Sequence, residues 1–207
     1  IANLLLYAQL LEEQDLPPES REYVSALEHQ AEKLRFLIDA LVKTSRLESG
    51  VLAMTPKRHG IQQLLDAASA QAAPGAEAKA ITLTVEPTDL TARFDPKWTA
   101  EALYNLVDNA VKYTPAGGAV TLRAVGYELF CRVDVTDTGP GIPESEQARI
   151  FQRFYRSPSA SEAEGVGIGL YLARQIAAGQ GGYLKVSSRP GEGSTFSLFL
   201  PRAEERT

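Results

Sequence analysis

"EALYNLVDNAVKYTP", residues 101–115, is the stretch from which the rest of the chain can be read. Leu103, Leu106, Val107 and Ala110 recur at helical spacing and form an apolar stripe. Glu101, Asn105, Asn109 and Lys112 follow one another four, four and three residues apart, so they line the adjoining face of the same helix. Asparagine is a weak helix former, because its side chain competes for the backbone's own hydrogen bonds. Two of them on one face of an otherwise apolar helix therefore need a reason. An amide oxygen is a neutral ligand for a hard cation such as Mg²⁺, which keeps waters and bridges phosphates, and Lys112 adds a point charge beside it. The alternative is a face that is simply solvated. Just upstream, Asp95 and Pro96 are the N-cap and first residue this helix calls for.

The flanking pattern is mixed. "IQQLLDAASAQA" is helical, "AITLTVEP" is a strand, and "AVTLRAVGYELFCRVDVTD" is a hairpin of two alternating strands. A glycine- and charge-rich stretch runs to about residue 166, followed by the helix "GIGLYLARQIAAGQG" and the strands "YLKVSSRP" and "STFSLFLP". The expected fold is an α/β two-layer sandwich, with helices on one face of a mixed, mostly antiparallel sheet.

Residues 1–50 follow a different rule. Ile1, Leu4, Ala8 and Leu11, then Val24, Leu27, Ala31, Leu34, Ile38 and Leu41, step by threes and fours in a heptad pattern. Pro17 and Pro18 break the run and can open a second helix. This is a helical hairpin with one apolar seam, which either packs on the same chain or pairs with a second copy as a four-helix bundle. Residues 51–58 read as a linker, 59–203 as the sandwich domain and 204–207 as a tail.

The 207 residues are 44% hydrophobic, enough for one good core plus an appendage. A net charge of −5 argues against nucleic acid as the main partner. The single cysteine, Cys131, cannot form an internal disulfide and alternates with Leu129, Val133 and Val135 as a buried small hydrophobe. No apolar run reaches the ~18–20 residues needed to cross a bilayer. With no initiator Met, and a start inside "IANLLLYAQLL", the sequence reads as a fragment of a longer chain.

Three glycine-bearing motifs follow the asparagine helix. "DTGPGI", residues 137–142, ends a strand in an aspartate and then spaces two glycines around a proline. Asp137 could accept from an amino group such as that of adenine, or the stretch could be a plain turn. "GVGIGL", residues 165–170, opens a helix, where backbone N–H groups bind phosphate. It is neither the dinucleotide fingerprint nor a Walker A loop, lacking the close preceding strand of one and the Gly-Lys-Ser/Thr of the other. "GEGSTF", residues 191–196, is a glycine turn into the last strand.

The ordered set "NLVDNAVKYTP", "DTGPGI", "IFQRFYR", "GVGIGL" and "GEGSTF" resembles the N, G1, F, G2 and G3 boxes of sensor histidine kinases of two-component systems, whose ATP-binding domain has the Bergerat (GHKL) fold. The hairpin in front, closing on "TSRLESG", looks like the family's dimerisation and phosphoacceptor domain, so the resemblance covers nearly the whole chain. It implies ATP and Mg²⁺ as cofactors, with Asn105 and Asn109 as metal ligands and Lys112 on the phosphates. Tyr113 would stack near the adenine, and Asp137 would accept from its amino group. Gly139, Gly141 and Ile142 would pass the chain over the base. Residues 165–170 (Gly165, Val166, Gly167, Ile168, Gly169 and Leu170) would cradle the phosphates and hinge a lid of about 143–166. Thr195 would contact Asp137 or an adenine-bound water. Arg156, with Arg153 as a second candidate, would neutralise charge on the transferring phosphoryl group, and Phe151, Phe154 and Tyr155 would anchor the lid.

The departure from the family is the missing His-Glu-x-Arg-Thr-Pro motif that carries the phosphoacceptor. His29 falls opposite the seam and His59 at the domain entry, both expected at the surface. Autophosphorylation is therefore not expected of these residues alone. The partners implied are a second copy through the hairpin and the receiver domain of a response regulator. The parent protein would be anchored in the inner or cell membrane by upstream segments, with this portion cytoplasmic. Two other classes stay open: an ATPase of the gyrase and MutL groups, which carry a glutamate base where Asn105 stands, and a scaffold that binds no nucleotide.

Overall fold

The computed structural model describes residues 1–14, 16–49, 53–157 and 166–203. The chain divides into two compact units, Ile1–Arg46 and Leu47–Thr207.

The first unit is the hairpin: α1 (Ala2–Glu12) and most of α2 (Pro18–Glu48), with Pro18 opening the second helix as its fixed φ favours. Leu5, Ala8 and Val24 are buried, whereas Leu4, Leu11, Leu27, Leu34, Ile38 and Leu41 remain 39–65% exposed. The heptad positions thus lie largely uncovered, since two helices can bury only the side of each that faces the other. No described helix is long and apolar enough to cross a membrane.

The second unit begins with β1 (Lys57–Gly60) and α3 (Ile61–Ala78), then β2 (Thr82–Val85), β3 (Thr91–Phe94) and α4 (Pro96–Tyr113). The hairpin β4 (Ala119–Gly126) and β5 (Phe130–Asp137) follows, then the short α5 (Glu144–Gln147), a 3₁₀ turn at Arg149–Phe151, α6 (Gly169–Gly179), β6 (Tyr183–Arg189) and β7 (Gly193–Pro201). Five strands form the main sheet in the order β2-β4-β5-β7-β6; only β2 and β4 run parallel. β1 and β3 pair antiparallel as a separate ribbon.

Strand alternation decides what faces the helices. Cys131, Val133 and Val135 of β5 point into the core with Phe196, Leu198 and Leu200 of β7, and burial pushes the Cys131 thiol up to about 11. Leu129, in the turn before β5, is 72% exposed and does not continue the alternation. Against this face lie Ile61, Leu64 and Leu65 of α3, Leu103, Leu106 and Val107 of α4, and Leu172 and Ile176 of α6. Each fully buried aliphatic side chain contributes about 1.5–3 kcal/mol.

Polar contacts fix where α4 begins. Asp95 caps it by accepting from the N–H groups of Lys97 and Trp98, and also accepts from the N–H of Thr55 at 3.0 Å. Buried Gln180, just past α6, accepts from the N–H of Asp95 and donates to Thr99 Oγ1 and to the Ile176 carbonyl. Residues 55–58, expected to be linker, are therefore built into the second unit, by Thr55 on Asp95 and by Lys57 and Arg58 in β1.

Ala80, in the turn between α3 and β2, has φ +51° and is exposed. A left-handed alanine is strained by about 1–2 kcal/mol, of which glycine's greater unfolded-state freedom offsets part. Ala80→Gly should make the protein roughly 0.5–1 kcal/mol more stable in urea unfolding; a lower midpoint would show that the turn is unstrained.

Candidate functional site

The asparagine face of α4 is neither solvated nor core: Glu101, Asn105, Asn109 and Lys112 are all half-buried. Asn105 Nδ2 donates to the Glu101 carbonyl at 2.9 Å, which fixes the amide and leaves Oδ1 to face the start of α6. A Cβ at Gly169 would sit 2.7 Å from that oxygen, so only glycine lets the α6 N-terminus come this close to Asn105. The Asn109 amide has no protein partner among the described residues. At the other end of the helix the Lys112 ammonium lies 5.7 Å from the Tyr113 ring centroid. Burial raises the Tyr113 pKa, and the positive charge of exposed Arg156 partly offsets this, placing Arg156 within electrostatic reach of that ring.

Asp137, only 6% exposed, ends β5 on the face turned to the helices. Its Oδ1 accepts from the N–H groups of Gly139 at 2.8 Å and Ser194 at 3.3 Å. Its Oδ2 has no protein donor among the described residues. Burial is the leading influence on this carboxyl and raises its pKa, although the two N–H bonds pull the other way.

The loop after Asp137 is held by close backbone packing. Gly141, at φ +74°, lies where a Cβ would meet the Arg189 carbonyl at 2.0 Å. The Ile142 N–H donates to Ser188 Oγ at 2.8 Å, and Ser188 Oγ in turn donates to the Gly193 carbonyl. With its one proton committed there, Ser188 accepts from Ser194 Oγ at 2.9 Å. Ser188 and Ser194 thus tie the "DTGPGI" turn to the "GEGSTF" turn.

This corrects one expectation. Thr195 does not reach Asp137: it lies on the opposite face of the sheet, where its hydroxyl is 3.0 Å from that of Thr136. Asp137 pairs with Ser194 and Thr136 with Thr195, and consecutive residues of a strand point to opposite faces. The alternation of Ser194 with Phe196, Leu198 and Leu200 was the sequence signal for the inward residue.

Of the lid anchors, Phe151 is buried with its ring edge-on to Phe196, and Tyr155 packs against the core. Phe154 does not: it is 52% exposed at φ +60°, while its N–H bonds the Gly167 carbonyl at 2.9 Å. Arg153 donates to Tyr171 Oη at 3.1 Å with its guanidinium 4.8 Å over that ring, so it rests on α6. Ile168 is buried at the α6 N-cap, Val166 and Leu170 are half-buried, and Gly165 lies outside the described residues. His29 is exposed. His59 is half-buried, its ring 5.3 Å from that of Phe94, rather than at the open surface. Among the described residues no cluster of His, Cys, Asp or Glu could hold a metal ion.

Residues 94–204 match the family of histidine kinase-, DNA gyrase B- and HSP90-like ATPases, and residues 1–50 match the His kinase A phospho-acceptor domain. The chain is 34% identical to the sensor protein DivL of Caulobacter vibrioides, over 99% of this chain and 26% of DivL. It is also 34% identical to the adaptive-response sensory kinase SasA of a Synechococcus strain, over 87% of this chain and 49% of SasA. Full-length ShkA, crystallised with AMPPNP, superposes at a TM-score of 0.81 with 30% identity, covering 99% of this chain and 43% of ShkA. The chain spans about a quarter to a half of these relatives. By the family match over more than half of its length, and by the phospho-acceptor match in front of it, the chain belongs to the histidine kinase-, DNA gyrase B- and HSP90-like ATPases, among the sensor histidine kinases.

Proposed function

We propose that residues 59–203 bind Mg-ATP and donate its γ-phosphoryl group to a histidine that these 207 residues do not contain, from which an aspartate of a response-regulator receiver domain takes it. The observation that carries this reading is the half-satisfied carboxylate of Asp137. One oxygen takes two backbone N–H groups and the other has no protein donor among the described residues, which leaves it open to a ligand's donor. An exocyclic amino group such as adenine's supplies that donor.

Other groups support the same orientation. Tyr113 and Ile142 flank the base end, and Gly139 and Gly141 let the turn between them pack on the backbone at Tyr113 and Arg189. Asn105 and Asn109 offer neutral oxygens, and with no acidic cluster among the described residues a divalent ion here would be carried by the nucleotide's phosphates. When bound, Mg²⁺ neutralises charge on the phosphates. Lys112 and the N–H groups of residues 165–170 at the start of α6 complete that end. Arg156 is the first candidate to neutralise charge on the transferring group, with Arg153, which donates to Tyr171, as the second. In the transfer the bond from Pγ to its bridging oxygen breaks, a bond from Pγ to an imidazole nitrogen forms, and ADP leaves. Asn105 stands where a water-activating glutamate would be needed, which disfavours the ATPase reading.

We further propose that the uncovered hairpin seam at Leu27, Leu34, Ile38 and Leu41 pairs with a second copy.

Two tests follow from these assignments. Mixed with a protein carrying the His-Glu-x-Arg-Thr-Pro segment and labelled ATP, this chain should give acid-labile label on that histidine. Label on His29 or His59 of this chain would overturn the assignment. The second is Asp137→Asn, which keeps an acceptor for Gly139 and Ser194 but turns an amide where adenine needs an acceptor. Its Mg-ATP affinity should fall about ten- to a hundredfold. Because burial raises the Asp137 pKa, folding favours the protonated acid. Its stabilising contribution is full below the ordinary carboxylate pKa and is lost as pH rises through the raised folded value. The neutral asparagine escapes that loss, so in urea unfolding without nucleotide the variant should gain on wild type from about pH 4 to about pH 7. Unchanged affinity would contradict the assignment, and a gap that narrows with rising pH would contradict the raised carboxyl pKa.

A further inference from the structure

We infer that Lys79, which lies outside every motif of the site, is a positioning residue for its adenine end. Lys79 follows α3, in the turn that leads to Ala80 and β2. Its ammonium donates to three backbone carbonyls at the end of α4: Val111 at 2.8 Å, Lys112 at 2.8 Å and Thr114 at 2.7 Å. The last carbonyls of a helix have no partner within it and carry the negative end of its dipole. A lysine with each of its three protons on one of them satisfies both needs. That use consumes its donors, so Lys79 cannot itself be a phosphate ligand.

The carbonyl its ammonium leaves out is that of Tyr113, between the ones it binds. The backbone at Tyr113 lies against Gly139, where a Cβ would approach the Tyr113 carbonyl oxygen to 3.2 Å. The Gly139 N–H in turn donates to Asp137 Oδ1. Lys79 therefore fixes the backbone on both sides of Tyr113, Tyr113 fixes the glycine turn, and the turn fixes the carboxylate. The Lys79 carbonyl also accepts from the Gly117 N–H at 3.1 Å, tying down the loop that leaves α4. Loss of the ammonium frees the last turn of α4 to unwind and withdraws the wall against which the Asp137 turn is set.

This inference rests on the nucleotide reading above, and its test separates the two. Lys79→Met keeps the stem and removes the donors. Under conditions where urea unfolding shows the variant folded, its affinities for Mg-ATP and for AMP should fall by the same factor, about fivefold, because the defect is at the base rather than at the phosphates. The double variant with Asp137→Asn should lose less than the product of the two single losses, since both act on one contact. A folded Lys79→Met with wild-type affinities, a loss confined to Mg-ATP, or full additivity with Asp137→Asn would overturn the assignment. Should the methionine variant not fold, Lys79→Arg carries the same test. Its planar fork cannot serve three carbonyls at once, so a smaller loss shared by both ligands supports the role and unchanged affinities refute it. Failure of the nucleotide reading looks different: Asp137→Asn then leaves Mg-ATP affinity unchanged, and the role of Lys79 falls with it.

Discussion

A carboxylate placed inside a protein needs donors, and the second unit of this chain is organised around supplying them to Asp137. Its position at the end of β5 follows from the strand register with β7, which sets Ser194 beside it and sends its neighbour Thr136 to the other face. The turn that follows must double back closely enough to return the Gly139 N–H to the same oxygen. That return brings Gly141 against the backbone at Arg189 and leaves no room there for a side chain. The second oxygen is what this arrangement leaves over, and the helices set the boundaries of the space it faces. α4 contributes its end at Tyr113, and α6 abuts α4 at Asn105 through Gly169.

The helices are held to one another at the opposite end. Gln180 takes the N–H of Asp95 and engages Thr99, so the start of α4 and the end of α6 share one buried amide. Asp95 also receives Thr55, from the segment that enters the domain. Lys79 secures the far end of α4. A helix pinned at both termini can present Asn105, Asn109 and Lys112 on a fixed face, and positioning of this kind supplies most of the rate in phosphoryl transfer.

Much of this was legible in the sequence where local rules and tertiary packing agree. Asp95 and Pro96 mark the start of α4, and its apolar stripe is buried as the spacing requires. The α/β sandwich with its mostly antiparallel sheet followed from strand alternation. Legibility failed where a residue's role depends on a distant partner. β1 and β3 are four residues each, "KRHG" and "TARF", too short and too charged to show a period, and exist because they pair with each other. The motif "GEGSTF" names Thr195 and Ser194 alike, and only the pairing with β5 shows that Ser194 is the one beside Asp137. Lys79 and Ser188 carried no signal at all, since each acts on backbone groups remote in sequence. The hairpin shows the reverse case: its heptads are plain, yet the structure leaves Leu27, Leu34, Ile38 and Leu41 exposed, because two helices alone bury only the side of each that faces the other.

In the proposed complex Asp137 accepts a hydrogen bond from the amino group of adenine. Comparing Mg-ATP with Mg-inosine triphosphate by calorimetry tests this most directly, because at the base that amino group is replaced by a carbonyl and N1 gains a proton. The inosine nucleotide should bind at least about tenfold more weakly, an acceptor then facing the free oxygen of the Asp137 carboxylate. Equal affinities for the two nucleotides would contradict it.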